Sequence, residues 1–288
     1  QTITVEVTLD GGTIASNETI CSGGDPAAFT SSSSASGGTG SYTYEWESST
    51  NSGTTWSAIS SSNSTTYDVP SGLTQTTQYR RKVSDGSNTA YSNTLTVTVN
   101  ANPTITSSVT SVCVGSDITL TGSGTAATTN AWVSATTSVA TITSAGVLTG
   151  VSSGPSVITY TDNNGCTVTE TVTVNALPTV AVSPTSASIT SGNSQSLTAS
   201  GATSYSWSPS TGLSATTGGT VTASPTTTTT YTVTGTDANG CVNTASSTIT
   251  VGSSLTAGAI AGNTTICSGG DPAAFTSSSS ASGGTGSY

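Results

Sequence analysis

One stretch of 23 residues occurs twice in this chain without a single change. Residues 20–42 read ICSGGDPAAFTSSSSASGGTGSY, and residues 266–288 read the same, at an offset of 266 − 20 = 246. Chance does not produce an identity of this length, so we expect the chain to sample a longer tandem array. The second copy stops at the counterpart of Tyr42, where the first copy enters a strand (YTYEWES). The last residues are therefore expected to be only the beginning of a further domain.

Composition favours strands and argues against binding through charge. The chain is rich in Ser, Thr and Val, only 6% of its residues are charged, and four Trp are spread along it. Alternating β-branched and aromatic residues are typical of strands, whereas disordered chains are usually richer in charge. We predict an all-β fold of tandem immunoglobulin-like β-sandwiches that form an extended rod.

The net charge of −10 indicates which partners the chain does not bind. It arises from 13 acids and 3 bases, which argues against nucleic acid and against an anionic membrane surface. No run of 18 apolar residues occurs, so we expect no membrane span in this stretch of sequence. Neighbouring repeats of the same chain are the expected partners.

Proline residues and turn sequences divide the chain into domains. The first complete domain is predicted at 9–100, the second at 101–175 with Pro103 at its junction, and the third at 176–252 after Pro178. Residues 1–8 resemble the end of the third domain under the repeat offset, so they are predicted to be the last strand of a preceding domain. Residues 253–288 would begin a copy of the first domain, incomplete here.

Alternation predicts seven strands in the first domain, at residues 13–21, 27–33, 42–48, 55–59, 65–69, 78–84 and 90–99. In the third and sixth of these, Glu45 and Glu47 share one face, and so do Arg80 and Lys82. If the two strands are neighbours, the acids and bases form exposed cross-strand pairs. The alternative is that residues 80–82 (RRK) form an anion site.

Large aromatic residues are expected to fill the three cores. Trp46, Trp132 and Trp207 lie at the position in the third strand (strand C) that packs the core of each sandwich. The predicted core also includes Tyr79, Tyr160 and Tyr231. The two Tyr that follow the turn into strand F, Tyr79 and Tyr231, resemble the tyrosine corner of sandwich domains. Trp56 follows a polar hairpin found only in the first domain and is the candidate for a surface contact.

Side chains suited to catalysis are scarce. The chain has no His and no Met, and its single Lys is Lys82. A serine nucleophile would have no base to activate it, and the nearest carboxylate pair, Glu45 and Glu47, lies on a strand face and not in a cleft. We predict that the protein is not an enzyme and uses no cofactor. Asp162 and Asp237 open two Asn-Gly turns, but one carboxylate per turn is too few for calcium.

The second domain resembles the group 2 family of bacterial immunoglobulin-like domains. The residues that carry this resemblance are 115–120 (GSDITL), Trp132, 139–142 (VATI), 145–150 (AGVLTG) and 171–174 (TVTV). The resemblance spans the whole domain.

The array as a whole resembles the repeats of SprB-type gliding-motility adhesins of Bacteroidota. The matching motifs are residues 21–25 (CSGGD), 44–46 (YEW), Trp56, 77–81 (TQYRR) and 239–242 (NGCV). The resemblance implies a very large extracellular protein attached to the outer membrane, exported by type IX secretion, with gliding or secretion machinery and surface polysaccharide as partners. It favours a stalk that holds a distant adhesive tip. The alternative is a carbohydrate-binding module that presents Trp56.

Five Cys are present, without any CxxC spacing. Pairing Cys113 with Cys166 inside the second domain fails on geometry, because these residues lie at opposite ends of a sandwich and a disulfide needs Cα atoms within about 7 Å. If domains stack end to end, Cys21 meets Cys166 and Cys113 meets Cys241. We predict these two inter-domain disulfides, a partner for Cys267 beyond residue 288, and a flexible joint around residues 252–258.

Overall fold

The structure, a computed structural model, describes residues 7–262 and 265–284, and within these ranges it contains strands and turns but no helix. The strand predicted for residues 1–6 lies outside the described residues. The chain divides into two compact units. One comprises residues 1–110, 118–149 and 155–172, and the other comprises 111–117, 150–154 and 173–288.

The first immunoglobulin-like region contains eight strands. They are β1 (Thr13–Ala15), β2 (Glu18–Cys21), β3 (Thr30–Ser33), β4 (Thr43–Ser49), β5 (Ser57–Ala58), β6 (Thr77–Ser84), β7 (Thr89–Tyr91) and β8 (Leu95–Asn100). One sheet has the order β2-β8-β6-β4-β5, with β7 also paired to β6, and β1 pairs with β3 in the facing sheet. All of these pairs are antiparallel except β2 with β8.

The predicted first strand, 13–21, changes sheets halfway. β1 pairs with β3 and β2 pairs with β8, and between them Ser16 has a φ of 93°. Two amides supply hydrogen bonds at the crossing. The Asn93 side chain bonds both the N–H and the C=O of Ile14, at 2.8 and 2.9 Å, and Asn17 Oδ1 accepts from Thr96 N at 2.7 Å. Alternation alone did not reveal this break, because the apolar spacing continues through it.

Two other predicted strands differ from the structure. Residues 65–69 form no strand, and only Tyr67 makes a bridge, to Phe29. The predicted strand 90–99 is divided into β7 and β8, because Ser92 turns inward to exchange hydrogen bonds with the backbone of Arg81.

The first core lies between these sheets and is aromatic. The Phe29 ring centroid is 5.8 Å from that of Trp46 and 5.3 Å from that of Tyr79. The other buried members are Ile14, Val69, Leu95 and Val97.

The second region contains nine short strands. They are β9 (Ile105–Thr106), β10 (Ser111–Cys113), β11 (Asp117–Thr119), β12 (Thr121–Gly122), β13 (Trp132–Ser134), β14 (Ala140–Ile142), β15 (Val147–Gly150), β16 (Gly154–Thr161) and β17 (Thr167–Asn175). In the first unit, β13 is antiparallel to β16, with Trp132 opposite Tyr160. In the second unit, β10 is parallel to the end of β17, with Cys113 opposite Asn175.

The third region is a sandwich of two sheets. Its strands are β18 (Ala181–Ser183), β19 (Ser186–Thr190), β20 (Gln195–Ser200), β21 (Ser204–Ser208), β22 (Thr220–Ala223), β23 (Thr229–Thr236) and β24 (Val242–Thr256). The sheets have the orders β18-β20-β22 and β19-β24-β23-β21. The buried residues between them are Val182, Ile189, Leu197, Ala199, Trp207, Val221, Ala223, Tyr231, Val233 and Ile249.

The last strands repeat the beginning of the first region. β25 (Ala259–Ala261) pairs antiparallel with β26 (Thr276–Ser279), and β27 (Ser282–Gly284) pairs with the end of β24. The register of β25 on β26 equals that of β1 on β3 after adding the repeat offset. The apolar side chains of this copy are nevertheless exposed.

Candidate functional site

The two disulfides predicted from the sequence are present in the structure. Cys21 is bonded to Cys166, 145 residues away, and Cys113 is bonded to Cys241, 128 residues away. The Cα–Cα distance is 5.5 Å in both, which is ordinary for a disulfide. Cys267 is free and exposed. Disulfides of this kind are typical of an extracellular, oxidising location.

One cysteine of each pair lies beside the end of a last strand. Cys21 ends β2 directly opposite Asn100, the last residue of β8, and Cys113 ends β10 opposite Asn175, the last residue of β17. The following turns are alike. Ser22 N donates to Asn100 O at 2.8 Å, and Val114 N donates to Asn175 O at 3.0 Å. Each cysteine is thus placed where the chain leaves one region for the next.

The other cysteine of each pair is held by an aspartate turn. Asp162 Oδ1 accepts from Cys166 N at 2.9 Å, and Asp237 Oδ1 accepts from Cys241 N at 2.8 Å. The same oxygens also accept from the N–H groups of Asn164 and Asn239. Cys166 and Cys241 are fully buried. These carboxylates therefore fix the backbone that presents each buried sulfur.

The same hydrogen bonds bear on the calcium alternative. At both turns, one of the two carboxylate oxygens, Oδ1, already accepts hydrogen bonds from two backbone N–H groups. No group of three or more metal-binding side chains occurs within residues 7–262 and 265–284.

The third region has the same turn without the cysteine. Thr190 lies opposite Gly252, and Ser191 N donates to Gly252 O at 3.0 Å. At this junction β24 continues from its pairing with β19 directly into pairing with β27, and the flexible joint expected around residues 252–258 stays a prediction. This junction has no Pro, whereas Pro103 and Pro178 follow the other two last strands.

The predicted cross-strand pairs are present in the first region, but the prediction that they are exposed is wrong for Glu47, which is buried. Glu45 lies opposite Lys82 and Glu47 opposite Arg80, with nitrogen–oxygen distances of 3.0 and 2.7 Å. The Arg80 guanidinium also lies 4.2 Å from the centre of the Trp56 ring and 3.9 Å from that of Tyr91. Both cations thus have carboxylate partners, which removes the basis for an anion site at residues 80–82.

Trp56, the candidate surface contact, is half-buried. One face of its ring packs on the Arg80 guanidinium in a cation–π contact. The exposed aromatic ring beside it is that of Tyr91, which sequence reasoning did not single out. Tyr91 lies in a polar stretch and is followed by a Ser, so the residues around it did not indicate an exposed aromatic contact.

Five of the six predicted core aromatics are buried, namely Trp46, Trp207, Tyr79, Tyr160 and Tyr231. Burial raises the pKa of Tyr79 to about 12. Of the two predicted corner tyrosines, Tyr231 donates its hydroxyl to Thr211 O at 2.7 Å. Trp132 is only half-buried, because β13 is a three-residue edge strand, and it packs on Tyr160 with ring centroids 4.6 Å apart.

Sequence analysis missed the buried charge of Arg81, which is 0% exposed. Its Nη1 donates to Ser31 Oγ and Thr65 O, both at 2.9 Å, and its Nη2 donates to Gly11 O at 3.0 Å. Its Nε has no acceptor among the described residues. Burial lowers the pKa of Arg81 from its usual value. Alternation in TQYRRKVS does place Arg81 on the face of Tyr79 and Val83, and that was the available signal.

Comparison with known proteins gives a match to a family model in the first region. Residues 10–101 match the model of a family described as a domain of unknown function, DUF8696. No curated protein matches the chain. No helix long and apolar enough to cross a membrane occurs in the part of the chain that the structure describes.

Several solved structures of extracellular domains are similar to the chain. The eight N-terminal immunoglobulin domains of Down syndrome cell adhesion molecule give a TM-score of 0.31 at 16% identity, covering 89% of this chain and 37% of that one. Sidekick-1 immunoglobulin domains 1–5 give 0.29 at 14%, covering 82% and 57%. Domains 1–6 of the surface layer protein SbsC give 0.25 at 14%, covering 87% and 42%. The chain spans less than two thirds of each.

Proposed function

We propose that this chain is a stalk segment of a very large cell-surface adhesin, in which disulfides join successive immunoglobulin-like domains. The domains are residues 9–100, 101–175 and 176–252, with 1–8 closing a preceding domain and 253–288 opening another copy of the first. The observation that carries this proposal is the position of the disulfides. Each joins a cysteine beside the end of a last strand to a buried cysteine in an aspartate turn more than a hundred residues later.

Such bonds would hold neighbouring domains together under load. A force applied along the chain would be carried by the disulfides from Cys21 to Cys166 and from Cys113 to Cys241. The backbone between the bonded cysteines would then not bear the whole load. In the chain-entropy account, loops of 145 and 128 residues restrict the unfolded chain by about 5 kcal/mol each. The third junction has no disulfide, and a continuous strand joins its two sides.

The finer assignment rests on the sequence resemblance. The chain would belong to an outer-membrane-attached adhesin of gliding bacteria, exported by type IX secretion, with surface polysaccharide and gliding machinery as partners. The role would be structural and not catalytic. A rod of three domains would present a distant tip to the substratum. Small-angle scattering that gives a compact radius of gyration for the whole chain would contradict the rod.

Force spectroscopy of the whole chain tests the disulfide connection. With both bonds formed, the shortest path from Cys21 to Cys241 runs through the backbone from Cys113 to Cys166, a sequence separation of 166 − 113 = 53. Full reduction should therefore lengthen the stretched chain by roughly 550–600 Å. A Cys113–Cys166 bond would give only roughly 180 Å. The control, a chain with both Cys21→Ser and Cys113→Ser, should show no change on reduction.

A second candidate function is carbohydrate binding by the first domain. The observation that favours it is the row of Trp56, Arg80 and Tyr91, in which Tyr91 is 45% exposed. Tyr91→Ala should abolish retention on a polysaccharide matrix, whereas Tyr42→Phe should retain it. If shortening the array weakens adhesion while an isolated first domain binds no glycan, the stalk is favoured.

A further inference from the structure

We propose that the second region contains a binding site for a small organic cation, a molecule with an apolar body and one positively charged nitrogen. The site is an open cavity of about 290 Å³. Its apolar lining comes from Ile105, Val109, Leu120 and Val172, and of the described residues that line it only Glu170 carries a charge. This inference goes beyond the stalk role and does not depend on it.

The cavity lies where the chain of the second region crosses from one sheet to the other. β9 pairs with β12 in one sheet and β10 pairs with β17 in the other, so the crossing takes residues 107–110. The corresponding crossings in the first and third regions take only residues 16–17 and 184–185. Within the longer segment, Val109 is 47% exposed and lines the cavity together with the buried Leu120. The apolar interior of the second region is therefore accessible at this crossing.

Glu170 occupies a core-facing position of the last strand. It lies five residues (175 − 170 = 5) before Asn175, the residue that faces Cys113. The same position holds Leu95 in the first sandwich and Ser247 in the third. Leu95 is buried in the apolar core, and the buried Ser247 donates its hydroxyl to a backbone carbonyl at 2.7 Å. The second region therefore has a carboxylate where the other two have an apolar or a hydrogen-bonded side chain.

The charge of Glu170 is not balanced from within the chain. Across residues 7–262 and 265–284, neither a hydrogen bond nor an ion pair engages its carboxylate. A carboxylate beside buried apolar side chains is costly unless it is paired, and departures of this kind from the core pattern are expected at functional sites. The complementary ligand has an apolar body for the cavity and a cationic nitrogen for the carboxylate. Since the volume is at the lower end for small-molecule sites, the ligand is compact.

The cation has to come from a different molecule and not from a second copy of this chain. The chain has three basic side chains and no His. Arg80 and Lys82 are paired with Glu47 and Glu45, and Arg81 is fully buried. A second copy would therefore have to break one of its own ion pairs to place a cation in the cavity.

A charge series of probes tests the site on the whole chain. The Ile, Leu and Val methyl groups are labelled with ¹³C, and phenethylamine, the neutral 2-phenylethanol and the anionic 3-phenylpropanoate are titrated separately at pH 7. We expect phenethylamine to shift the methyl signals of Val109, Leu120 and Val172 saturably. It should bind at least about tenfold more tightly than 2-phenylethanol, because only the amine forms a charge-assisted hydrogen bond with Glu170. Equal binding of the three probes, or no shift of these signals by the amine, would overturn the proposal.

Two variants of Glu170 separate recognition of the cation from folding. Glu170→Gln keeps the size of the side chain and removes its charge, so it should weaken phenethylamine binding at least about tenfold and leave 2-phenylethanol binding unchanged. Glu170→Leu introduces the residue that the first sandwich has at this position, so it should raise the melting temperature and remove the preference for the amine. Asp117→Asn, at an exposed carboxylate outside the cavity, is the matched control and should bind the amine as the wild type does. An amine affinity that both Glu170 variants retain would refute the cation site.

Discussion

Trp46 and Trp207 occupy equivalent places in the first and third sandwiches, but different residues face them across the sheet. Trp46 lies opposite Arg81, and Trp207 lies opposite Val233. Both partners are 0% exposed. Both indoles donate to a loop carbonyl, Trp46 to Ser64 O at 3.0 Å and Trp207 to Gly218 O at 2.9 Å. Equivalent positions in β6 and β23 therefore carry a charged side chain in one core and an apolar side chain in the other.

The difference shows how a sandwich can accommodate a buried cation. Arg81 is surrounded by neutral acceptors contributed by three separate segments, around Gly11, Ser31 and Thr65. These segments must stay in place, because an uncompensated buried charge is strongly destabilising. Val233 makes no such demand, and the third core is closed by apolar packing. The stability of the first sandwich thus depends on its loops more than that of the third.

The largest loss of stability is expected when an Arg, the counterpart of Arg81, is placed in the core of the third sandwich. Val233→Arg should destabilise the third sandwich by about 4–5 kcal/mol or more, because the site offers no set of carbonyls to a guanidinium. Hydrogen exchange of the β23 amides would measure this loss. Thr232→Arg, on the outer face of the same strand, should change stability by less than about 0.5 kcal/mol. Unchanged protection in Val233→Arg would show that the third core can also solvate a charge.

The reverse change in the first sandwich should have a smaller effect. Arg81→Met keeps an apolar side chain of similar length but leaves the carbonyls of Gly11 and Thr65 without their donors. We expect the free energy of unfolding to fall by about 2–4 kcal/mol. Each carbonyl left without a donor costs about 1–3 kcal/mol, and the removal of a buried charge offsets part of that cost. Urea unfolding followed by hydrogen exchange of β6 measures it. Lys82→Met, which removes the more exposed pair of Lys82 and Glu45, is the control and should have a smaller effect.

The turn after β6 in the first sandwich and the turn after β23 in the third are stabilised by different interactions. Asp237 precedes a disulfide cysteine, whereas Asp85 accepts hydrogen bonds from Ser87 N, Asn88 N and Thr39 N. The bonds from Asn88 and Ser87 lower the pKa of Asp85 to about 2. Since the folded pKa lies below the ordinary value, the stabilisation is present above about pH 4 and is lost as the pH falls towards 2.

This turn predicts an acid sensitivity of the first sandwich that Asp85→Asn should remove. The melting temperature of the wild-type first sandwich should fall between pH 4 and pH 2, and that of the variant should fall less over the same range. Calorimetry at pH 5, 4, 3 and 2 provides the measurement. Parallel curves for the two proteins would mean that Asp85 does not contribute to the acid response.

The smallest change in stability is expected from a substitution at the point where the chain crosses from one sheet of the sandwich to the other. The third region makes this change at a cis bond between Ser183 and Pro184, and the first makes it at Ser16, with a φ of 93°. Ser16→Gly should stabilise the first sandwich by about 0.5–1 kcal/mol, because glycine adopts positive φ without steric cost. A thermal melt measures the shift. Ser16→Ala is the control and should give no gain.

Much of the candidate site could be predicted from the sequence. The pairs Cys21–Cys166 and Cys113–Cys241 followed from stacking the predicted domains end to end, and the structure contains the same two pairs. The cross-strand pairs of Glu45 and Glu47 followed from alternation in two strands. The half-burial of Trp132 did not follow, because an identical motif can lie in a central strand or in a short edge strand.

The amino-acid sequence by itself determined the repeat, the all-β class and the cysteine partners, since these depend on local alternation, turn residues and exact identity. Only the tertiary structure decided the environment of Arg81, the sheet change at Ser16 and the continuity of β24 through Gly252. Each of these depends on which backbone carbonyl or N–H group lies across a sheet, often tens of residues away. The repeated stretch shows the same division. Its strand pairing is identical in both copies, but Ile14 is buried and Ile260 is exposed, because burial requires strands that lie elsewhere in the chain.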